Sequence, residues 1–365
     1  MFSWCVTPGI AADGDYVVYV VCESGDQVVR VRFGNFGSGA EKKIPTATIQ
    51  SDISGPHGIA AAPDRSAYYV TLGHGRPFGS AQKYSGRDDE LLGAVLLGAF
   101  PASIDVTPDG NFIFAVNFNL HGDMVRSSVS VVETSAMLEV ARIPTCTMPH
   151  GSRINSAGTR HYSVCMMDDI LVEIDTRLLQ VARYFRLSKG SEVGFDVSRS
   201  SNSAHRGAGS IPSTMPADCS PTWAQPSLDG SAVYVACNKS NEIVEVDTSS
   251  WRLLRRFPAR DGVYNLAVTR DQRLIATNKR DASVSVFSLK SGAEIARVPT
   301  QGTIVHGVAV SPDDRYAFIT TEGMGTTSGT VEKLNLQTLR IETVVEVPPQ
   351  AAGIAFWKIE SGAAK

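Results

Sequence analysis

Residues 146–169 read CTMPHGSRINSAGTRHYSVCMMDD and concentrate two Cys, two His, three Met and two Asp in one short run. Thiolate, thioether and imidazole together select copper, especially Cu(I). The alternative interpretation is an ordinary strand with its turns, in which Cys and Met fill irregular gaps in the packing. A third interpretation pairs Cys146 with Cys165, or Cys219 with Cys237, as a disulfide, which would indicate an oxidising compartment. The elements that carry these side chains decide between the three.

The bulk composition excludes several classes of protein. The chain has 365 residues, of which 43% are hydrophobic and 19% charged, with a formal net charge of -3. The lack of a basic surplus argues against nucleic acid as a partner, and the apolar stretches are too short for a membrane span. The N-terminal stretch MFSWCVTPGIAADGD lacks the basic and apolar segments of a secretory signal. We therefore expect a cytoplasmic location, or a periplasmic or secreted one if a signal was removed.

A repeat of four strands runs along the chain. Segments such as PHGIAAAPDRSAYYV, FPASIDVTPDGNFIFAV and VHGVAVSPDDRYAFIT each combine an alternating strand, a polar turn and a second, apolar strand. A third strand such as IVEVDT and a fourth such as AEIARVPT follow. We align the repeats on the residue eight positions before the turn glycine or its equivalent. These residues are 45, 48, 72, 42, 42 and 46 positions apart and are His57, Ala102, His150, Thr222, Tyr264, His306 and Ala352.

Four strands every forty-odd residues are typical of propeller blades. The sequence therefore predicts an all-β, seven-bladed β-propeller of four-stranded antiparallel blades. We expect one domain over residues 1–365, with an insertion at 187–219 that forms a loop or lid. The N-terminal strand DYVVYVV needs an inner partner, and we expect AAGIAFW near the C-terminus to pair with it and close the ring. The competing partner is the adjacent TPGIAADG.

The repeat resembles that of the YVTN-type seven-bladed β-propellers. The segments SPDDRYAFIT, TPDGNFIFAVN and SLDGSAVYVACN, each followed by a strand like IVEVDT, carry the resemblance over nearly the whole chain. It implies the fold and leaves the function open, because the family contains binding proteins, structural proteins and enzymes.

Blade geometry predicts that most histidines share one face, which we call the upper face. In an antiparallel blade the start of strand one, the end of strand two and the connections 2→3 and 4→1 lie on the same side. His57, His150 and His306 begin first strands and should surround the channel, whereas His161 should lie near the lower face. His74 and His121 fall in 2→3 loops, and His205 falls in the insertion.

Three imidazoles at one channel mouth can bind a divalent transition metal and leave coordination positions open for a substrate. We predict that His57, His150 and His306 bind this metal, copper being favoured, with His74 and His121 as further ligands. The alternative is that the HG dipeptide only begins a strand, with each His bonded to neighbouring backbone. Glu23 and Glu322 are the candidate ligands or catalytic bases. The candidate substrate or lid residues are Trp223, Tyr264, His205, Asn117 and Cys165.

The favoured hypothesis is a copper metalloenzyme, an oxidoreductase that acts on a small molecule. A His-built copper centre on a seven-bladed propeller looks like the arrangement in nitrous oxide reductases and thiocyanate dehydrogenases. The first alternative is a non-catalytic module that binds a protein or another ligand through upper-face loops at 73–91 and 187–219. The second is a metal-assisted lyase or lactone hydrolase with Glu322 or His306 as base.

Overall fold

The computed structural model describes residues 14–34, 37–47, 53–74, 79–196 and 217–360. In these ranges the chain forms strands and turns without a helix, and the strands assemble into seven antiparallel sheets. No helix that could cross a membrane is found in the described ranges.

The strands follow the repeat predicted from the turns. Blades 1 to 3 contain, in chain order, β1 Asp15–Cys22, β2 Gln27–Gly34, β3 Gly37–Pro45, β4 Pro56–Ala61, β5 Ala67–Leu72, β6 Ser80–Ser85, β7 Leu91–Leu96, β8 Pro101–Val106, β9 Phe112–Asn117, β10 Arg126–Glu133 and β11 Leu138–Thr147. Blades 4 and 5 contain β12 Pro149–Ile154, β13 Arg160–Cys165, β14 Ile170–Asp175, β15 Gln180–Arg186, β16 Val193–Asp196, β17 Pro221–Pro226, β18 Ala232–Cys237, β19 Glu242–Asp247 and β20 Leu253–Pro258. Blades 6 and 7 and the last strand contain β21 Val263–Val268, β22 Arg273–Asn278, β23 Ser283–Ser288, β24 Glu294–Pro299, β25 Val305–Val310, β26 Tyr316–Thr321, β27 Gly329–Asn335, β28 Arg340–Val347 and β29 Ala351–Glu360.

The ring is closed by the two ends of the described chain. Strand β29 pairs with β1 and completes the sheet of order β29-β1-β2-β3, with Val18 opposite Phe356. The prediction of a seven-bladed propeller closed by the C-terminal strand is confirmed. Closure of this kind leaves no free inner edge in blade 1, which is how a propeller avoids edge-to-edge pairing.

The insertion differs in part from the prediction of a loop or lid at 187–219. Residues Val193–Asp196 form β16, a fifth strand that pairs with β15 at the edge of blade 4. Phe195 there stacks on Tyr184 at 5.4 Å between ring centroids, so apolar packing keeps this part of the insertion on the blade. Residues 197–216, which include His205, lie outside the described residues.

Two aspartates, the buried Asp169 and the half-buried Asp26, fix connections of the upper face. Asp169 accepts hydrogen bonds from the backbone N–H groups of Asp218, Cys219 and Ser220. Asp26 does the same for Ser54 and Gly55. In each case an acid in the 2→3 connection holds the 4→1 connection beside it, so these loops keep a defined position.

Candidate functional site

The imidazoles of His57 and His150 are turned in the same way by the backbone of the next blade. His57 Nδ1 lies 2.9 Å from the carbonyl oxygen of Ala102, and His150 Nδ1 lies 2.8 Å from that of Thr222. A carbonyl oxygen can only accept, so each Nδ1 carries a proton and donates it to this bond. For His57 and His150 this is the bond to neighbouring backbone that the alternative to a metal site predicts, and it leaves Nε2 as the nitrogen that other groups can contact.

Glycine after these histidines allows the close approach of the blades. A Cβ atom on Gly58 would lie 2.7 Å from the Ala102 oxygen, and one on Gly151 would lie 2.3 Å from the Thr222 oxygen. These are the oxygens that bind the histidine rings. The HG dipeptide therefore couples the orientation of each ring to the contact between two inner strands.

The three histidines of the first strands converge at one mouth of the channel. The ring centroid of His57 is 5.5 Å from that of His306 and 6.3 Å from that of His150. Tyr264 occupies the same position in blade 6 and contacts two of these histidines. Its ring centroid lies 5.6 Å from that of His150 and 4.7 Å from that of His306. Its hydroxyl lies 3.2 Å from His150 Nε2 and donates to it.

Glu23, at the end of β1, stands between two histidines. Its Oε1 lies 2.9 Å from His74 Nε2, and its Oε2 lies 3.8 Å from His57 Nε2. Burial acts to raise the pKa of Glu23, but the hydrogen bond to His74 and the nearby charges outweigh it and the pKa is lowered. The same hydrogen bond raises the pKa of His74. Glu23 is therefore a carboxylate at neutral pH, and His74 holds its proton more strongly than a free imidazole does.

Glu322, at the corresponding place of blade 7, forms a second cluster. Its Oε1 lies 3.8 Å from His306 Nε2 and 2.5 Å from Lys279 Nζ, and that ammonium group lies 4.5 Å above the centre of the Tyr264 ring. Burial acts to lower the pKa of Lys279, but Tyr264 and Glu322 outweigh it and the pKa is raised. Lys279 therefore stays charged, and it neutralises Glu322.

The two glutamates are held by the same backbone segment. The N–H of Glu23 donates to the carbonyl of Gln350 at 3.0 Å, and the N–H of Gln350 donates to the carbonyl of Glu322 at 2.8 Å. Both carboxylates are largely buried, each residue being 8% exposed. The site thus has two acids on one framework, each facing one imidazole of the ring.

His150 and His306 are neutral because they are buried. Burial lowers the pKa of His150 to about 3 and that of His306 well below its usual value. Both are poor bases at neutral pH, since a base with so low a pKa takes up a proton weakly. A neutral imidazole is, however, the form that binds a metal or accepts a hydrogen bond from a substrate.

Aromatic side chains complete the wall of the mouth. Phe100 packs against His57, His74 and His121, with centroid distances between 5.4 and 5.6 Å. Phe118 covers His150 at 4.7 Å. His74 and His121 are 5.9 Å apart, so both 2→3 loops bring their histidine to the rim as expected. Of the other predicted residues, three lie elsewhere and His205 is outside the described residues.

Trp223, Asn117 and Cys165 are not at the rim. Trp223 lines the channel below the histidines. Asn117 is fully buried between strands, where its amide bonds Gly98, Ser128 and Ser130. Cys165 is bonded to Cys146.

The stretch at 146–169 therefore has a structural role in large part. Its two cysteines form a disulfide, as do Cys219 and Cys237, so the interpretation of Cys146 and Cys165 as copper ligands is wrong. Met148 and Met166 pack against the cluster of Phe100, Ala102 and Phe118, and Asp168 accepts from the backbone of Thr147 at 2.7 Å. His161 is buried and stacked on Phe114 at 5.1 Å. His150 alone of this stretch contributes its ring to the mouth.

We did not predict Lys279, Phe100 and Phe118 as residues of the site. Lys279 follows Asn278 as Lys239 follows Asn238, and this repeated Asn-Lys pair was a usable signal for the lysine. The two phenylalanines lie in connections whose direction only the packed blades define. In the ranges that the structure describes, no three His, Cys, Asp or Glu side chains are grouped in a metal-binding arrangement.

Comparison with known proteins supports the fold. No protein-family model matches the chain, and no curated protein matches it either. Three solved structures are similar across most of its length. The Pseudomonas aeruginosa periplasmic gluconolactonase PpgL has a TM-score of 0.71 at 16% identity, over 94% of this chain and 99% of that one. A functionally unknown protein of Desulfotomaculum acetoxidans DSM 771 has a TM-score of 0.69 at 15% identity, over 94% and 100%. Hydrazine synthase of Kuenenia stuttgartiensis has a TM-score of 0.63 at 19% identity, over 85% and 92%.

These identities show a shared propeller fold and nothing finer. The seven-bladed β-propeller is therefore established, whereas the YVTN relation stays a resemblance.

Proposed function

We propose that the upper mouth is a metal-dependent active site for a small molecule, with copper as the favoured metal. One observation carries the proposal. The Nε2 atoms of His57 and His306 each lie 3.8 Å from a buried carboxylate oxygen, of Glu23 and Glu322 respectively. Two imidazole nitrogens at the mouth of the channel thus each have a carboxylate oxygen beside them.

The separation within each pair suits two ligands of one ion, and the proposal requires the two pairs to move together when the metal binds. Two donors bound to a metal at about 2.1 Å lie roughly 3 to 4 Å apart, depending on the angle between the bonds. The 5.5 Å between the ring centroids of His57 and His306 is close to the roughly 5 Å expected for two imidazoles on one metal. A bound cation would replace the proton of His74 beside Glu23 and the ammonium of Lys279 beside Glu322.

The chemistry of the donors favours copper(II) over copper(I). Imidazole nitrogen and carboxylate oxygen suit copper(II), zinc or nickel, and copper(II) binds most tightly among the divalent first-row metals. Among the described residues, the thiols that would favour copper(I) are not available, because four cysteines are in disulfides and Cys22 is buried. The fixed Nδ1–H bond of His57 supports the proposal, since such a bond orients a metal-binding imidazole.

In this proposal the metal would bind and polarise a small substrate, and the protein would supply the groups around it. Lys279 would offer a charge to an anionic substrate, and Tyr264 a hydroxyl donor. The rim histidines His74 and His121, with Phe100, would narrow the opening and limit the size of what enters.

The test is metal analysis of the full-length protein after loading with copper or zinc and removal of unbound ion. We expect about one equivalent of metal in the wild type and in the control His161→Asn, whose histidine lies away from the mouth. We expect metal affinity to fall by a hundredfold or more in His57→Ala and His306→Ala, since a ligand should matter at least as much as a second-layer partner. A folded wild type that binds no metal, or that binds it equally without His57 and His306, would refute the proposal.

A lactone hydrolase is the second candidate, favoured by the structural likeness to a gluconolactonase and by the Lys279–Glu322 pair. Here Glu23 or Glu322 would activate water and Lys279 would stabilise the developing oxyanion. Turnover of aldonolactones by chelator-treated protein, lost in Glu322→Gln, would select this candidate. Activity that needs added metal would select the first.

A further inference from the structure

The central channel below His57, His150 and His306 holds polar side chains that the proposed chemistry does not use. A cavity of about 30 Å³ lies there. Arg153, Trp223 and Asn265 line it together with the three histidines above. This volume is room for about two water molecules. A sugar acid or a larger metabolite does not fit.

Two buried polar atoms of these walls lack a hydrogen-bond partner among the described residues. They are Trp223 Nε1 and Asn265 Oδ1. The two residues are 7% and 4% exposed, so bulk solvent does not satisfy them. Buried polar groups of folded proteins are nearly always bonded, and a small bound species is therefore expected in this cavity.

Arg153 gives the cavity its charge. The centre of its guanidinium group lies 4.5 Å above the Trp223 ring, and its Nη1 donates to the carbonyl of Ser152 at 3.0 Å. No described carboxylate lies within ion-pair distance of it. Asp105 is the acid that acts on it electrostatically, and the oxygens of Asp105 are bonded to the backbone N–H groups of Val106 and Ile154.

The donors point to an anion. Guanidinium and indole N–H groups can only donate, and the Asn265 amide can turn its NH₂ group toward the cavity. The positive charge of Arg153 disfavours a cation at the same place. Arg153 also lines the lower opening of the channel, a cavity of about 290 Å³, so the interior is reached from the face opposite the histidines.

We propose that the channel binds a small monovalent anion between the Arg153 guanidinium and the Trp223 indole N–H. The anion enters from the lower opening of the channel. The room available limits it to roughly one to three heavy atoms, the class of halides, nitrite and formate. Bound there, the anion lies directly beneath the imidazoles of the upper mouth.

Bromide is the probe, applied to full-length protein that has been freed of metal and chloride. Calorimetric titration at constant ionic strength should give saturable binding of one equivalent. Crystals grown with bromide should show an anomalous peak in hydrogen-bond range of Trp223 Nε1. Trp223→Phe keeps a ring beneath Arg153 but removes the donor, and Arg153→Gln removes the charge.

We expect each of these variants to bind bromide at least tenfold more weakly, the order of effect of a hydrogen bond to a charged group. Arg65→Gln is the matched control, since Arg65 lines the lower opening but not the inner cavity. Its bromide affinity should be unchanged. If Arg153→Gln does not fold, Trp223→Phe decides.

Non-saturable bromide binding, water alone in the cavity, or equal affinity in Trp223→Phe would overturn the proposal. Because the measurement needs no metal, its failure leaves the proposed metal site standing, and a failure of metal binding leaves this result unaffected.

Discussion

Replacing Gly151 by Ala should break the contact that orients His150. The added Cβ would lie 2.3 Å from the Thr222 carbonyl oxygen and 2.3 Å from the Trp223 ring, so the two inner strands must separate by about 1 Å to restore an ordinary contact. The φ angle of Gly151 is outside the left-handed region, so backbone strain adds nothing. The effect is steric and local to the seam between blades 4 and 5.

The size of the effect follows from two costs and one gain. Overpacking costs about 1–3 kcal/mol. Lengthening the 2.8 Å bond from His150 Nδ1 to the Thr222 oxygen leaves buried groups unpaired, at about 1–3 kcal/mol. The lower entropy of an unfolded chain with Ala returns about 0.4–1 kcal/mol. We therefore expect Gly151→Ala to lower the free energy of unfolding by about 3 kcal/mol, within a range of about 1–5.6 kcal/mol.

Urea denaturation of matched glycine variants measures this. Gly58→Ala and Gly307→Ala, with Cβ contacts of 2.7 Å, should lose less stability than Gly151→Ala. Gly39→Ala, which has open space, should change the free energy of unfolding by less than about 0.5 kcal/mol. The His150 Nδ1 proton signal in NMR spectra should also shift or broaden. If Gly151→Ala is as stable as Gly39→Ala, the seam does not control the ring and the reasoning fails.

Two further predictions concern the framework of the mouth. Glu23→Gln should lower the pKa of His74 toward 6.5, as followed by NMR titration, because the hydrogen bond that raises it is weakened. Because the pKa of His74 is raised, its contribution to stability is complete below pH 6.5 and is lost as the pH rises above that value. Because the pKa of Glu23 is lowered, its contribution to stability is complete above pH 4.5 and is lost on acidification. The stability difference between wild type and Glu23→Gln should thus be largest between pH 4.5 and 6.5, and a difference that is flat with pH would contradict this pairing. Replacing Cys219 and Cys237 together by Ala should lower the free energy of unfolding by about 3 kcal/mol, as measured by denaturation, because the 18-residue separation closes a loop; unchanged stability would show that this disulfide does not constrain the unfolded chain.

The upper face could be predicted because blade geometry is regular. Once His57, His150 and His306 are placed at the start of first strands, their convergence follows from the fold, and the loops that carry His74 and His121 must lie on the same side. The position of Glu23 and Glu322 in 2→3 connections could be predicted from the sequence in the same way. The pairing itself could not be predicted, because a salt bridge such as Lys279–Glu322 joins neighbouring blades and depends on side-chain rotamers.

The stretch at 146–169 shows that residue composition alone does not predict the role of each side chain. Cys, Met, His and Asp are all metal-ligand types, yet here two are a disulfide, two fill a gap beside aromatic rings, and the Asp residues bind loop backbone. Residue type lists what a side chain can do. The neighbours that packing brings up decide which of these it does.

By itself the sequence determined the blade, the number of repeats and the face on which the histidines lie, because turn chemistry and strand alternation are local and recur with each repeat. The tertiary structure alone decided which nitrogen of each imidazole faces the mouth, which cysteines pair, and that Arg153 lies over Trp223 in the channel. These depend on distances between different blades, which are set when the ring closes and the inner strands approach within van der Waals contact.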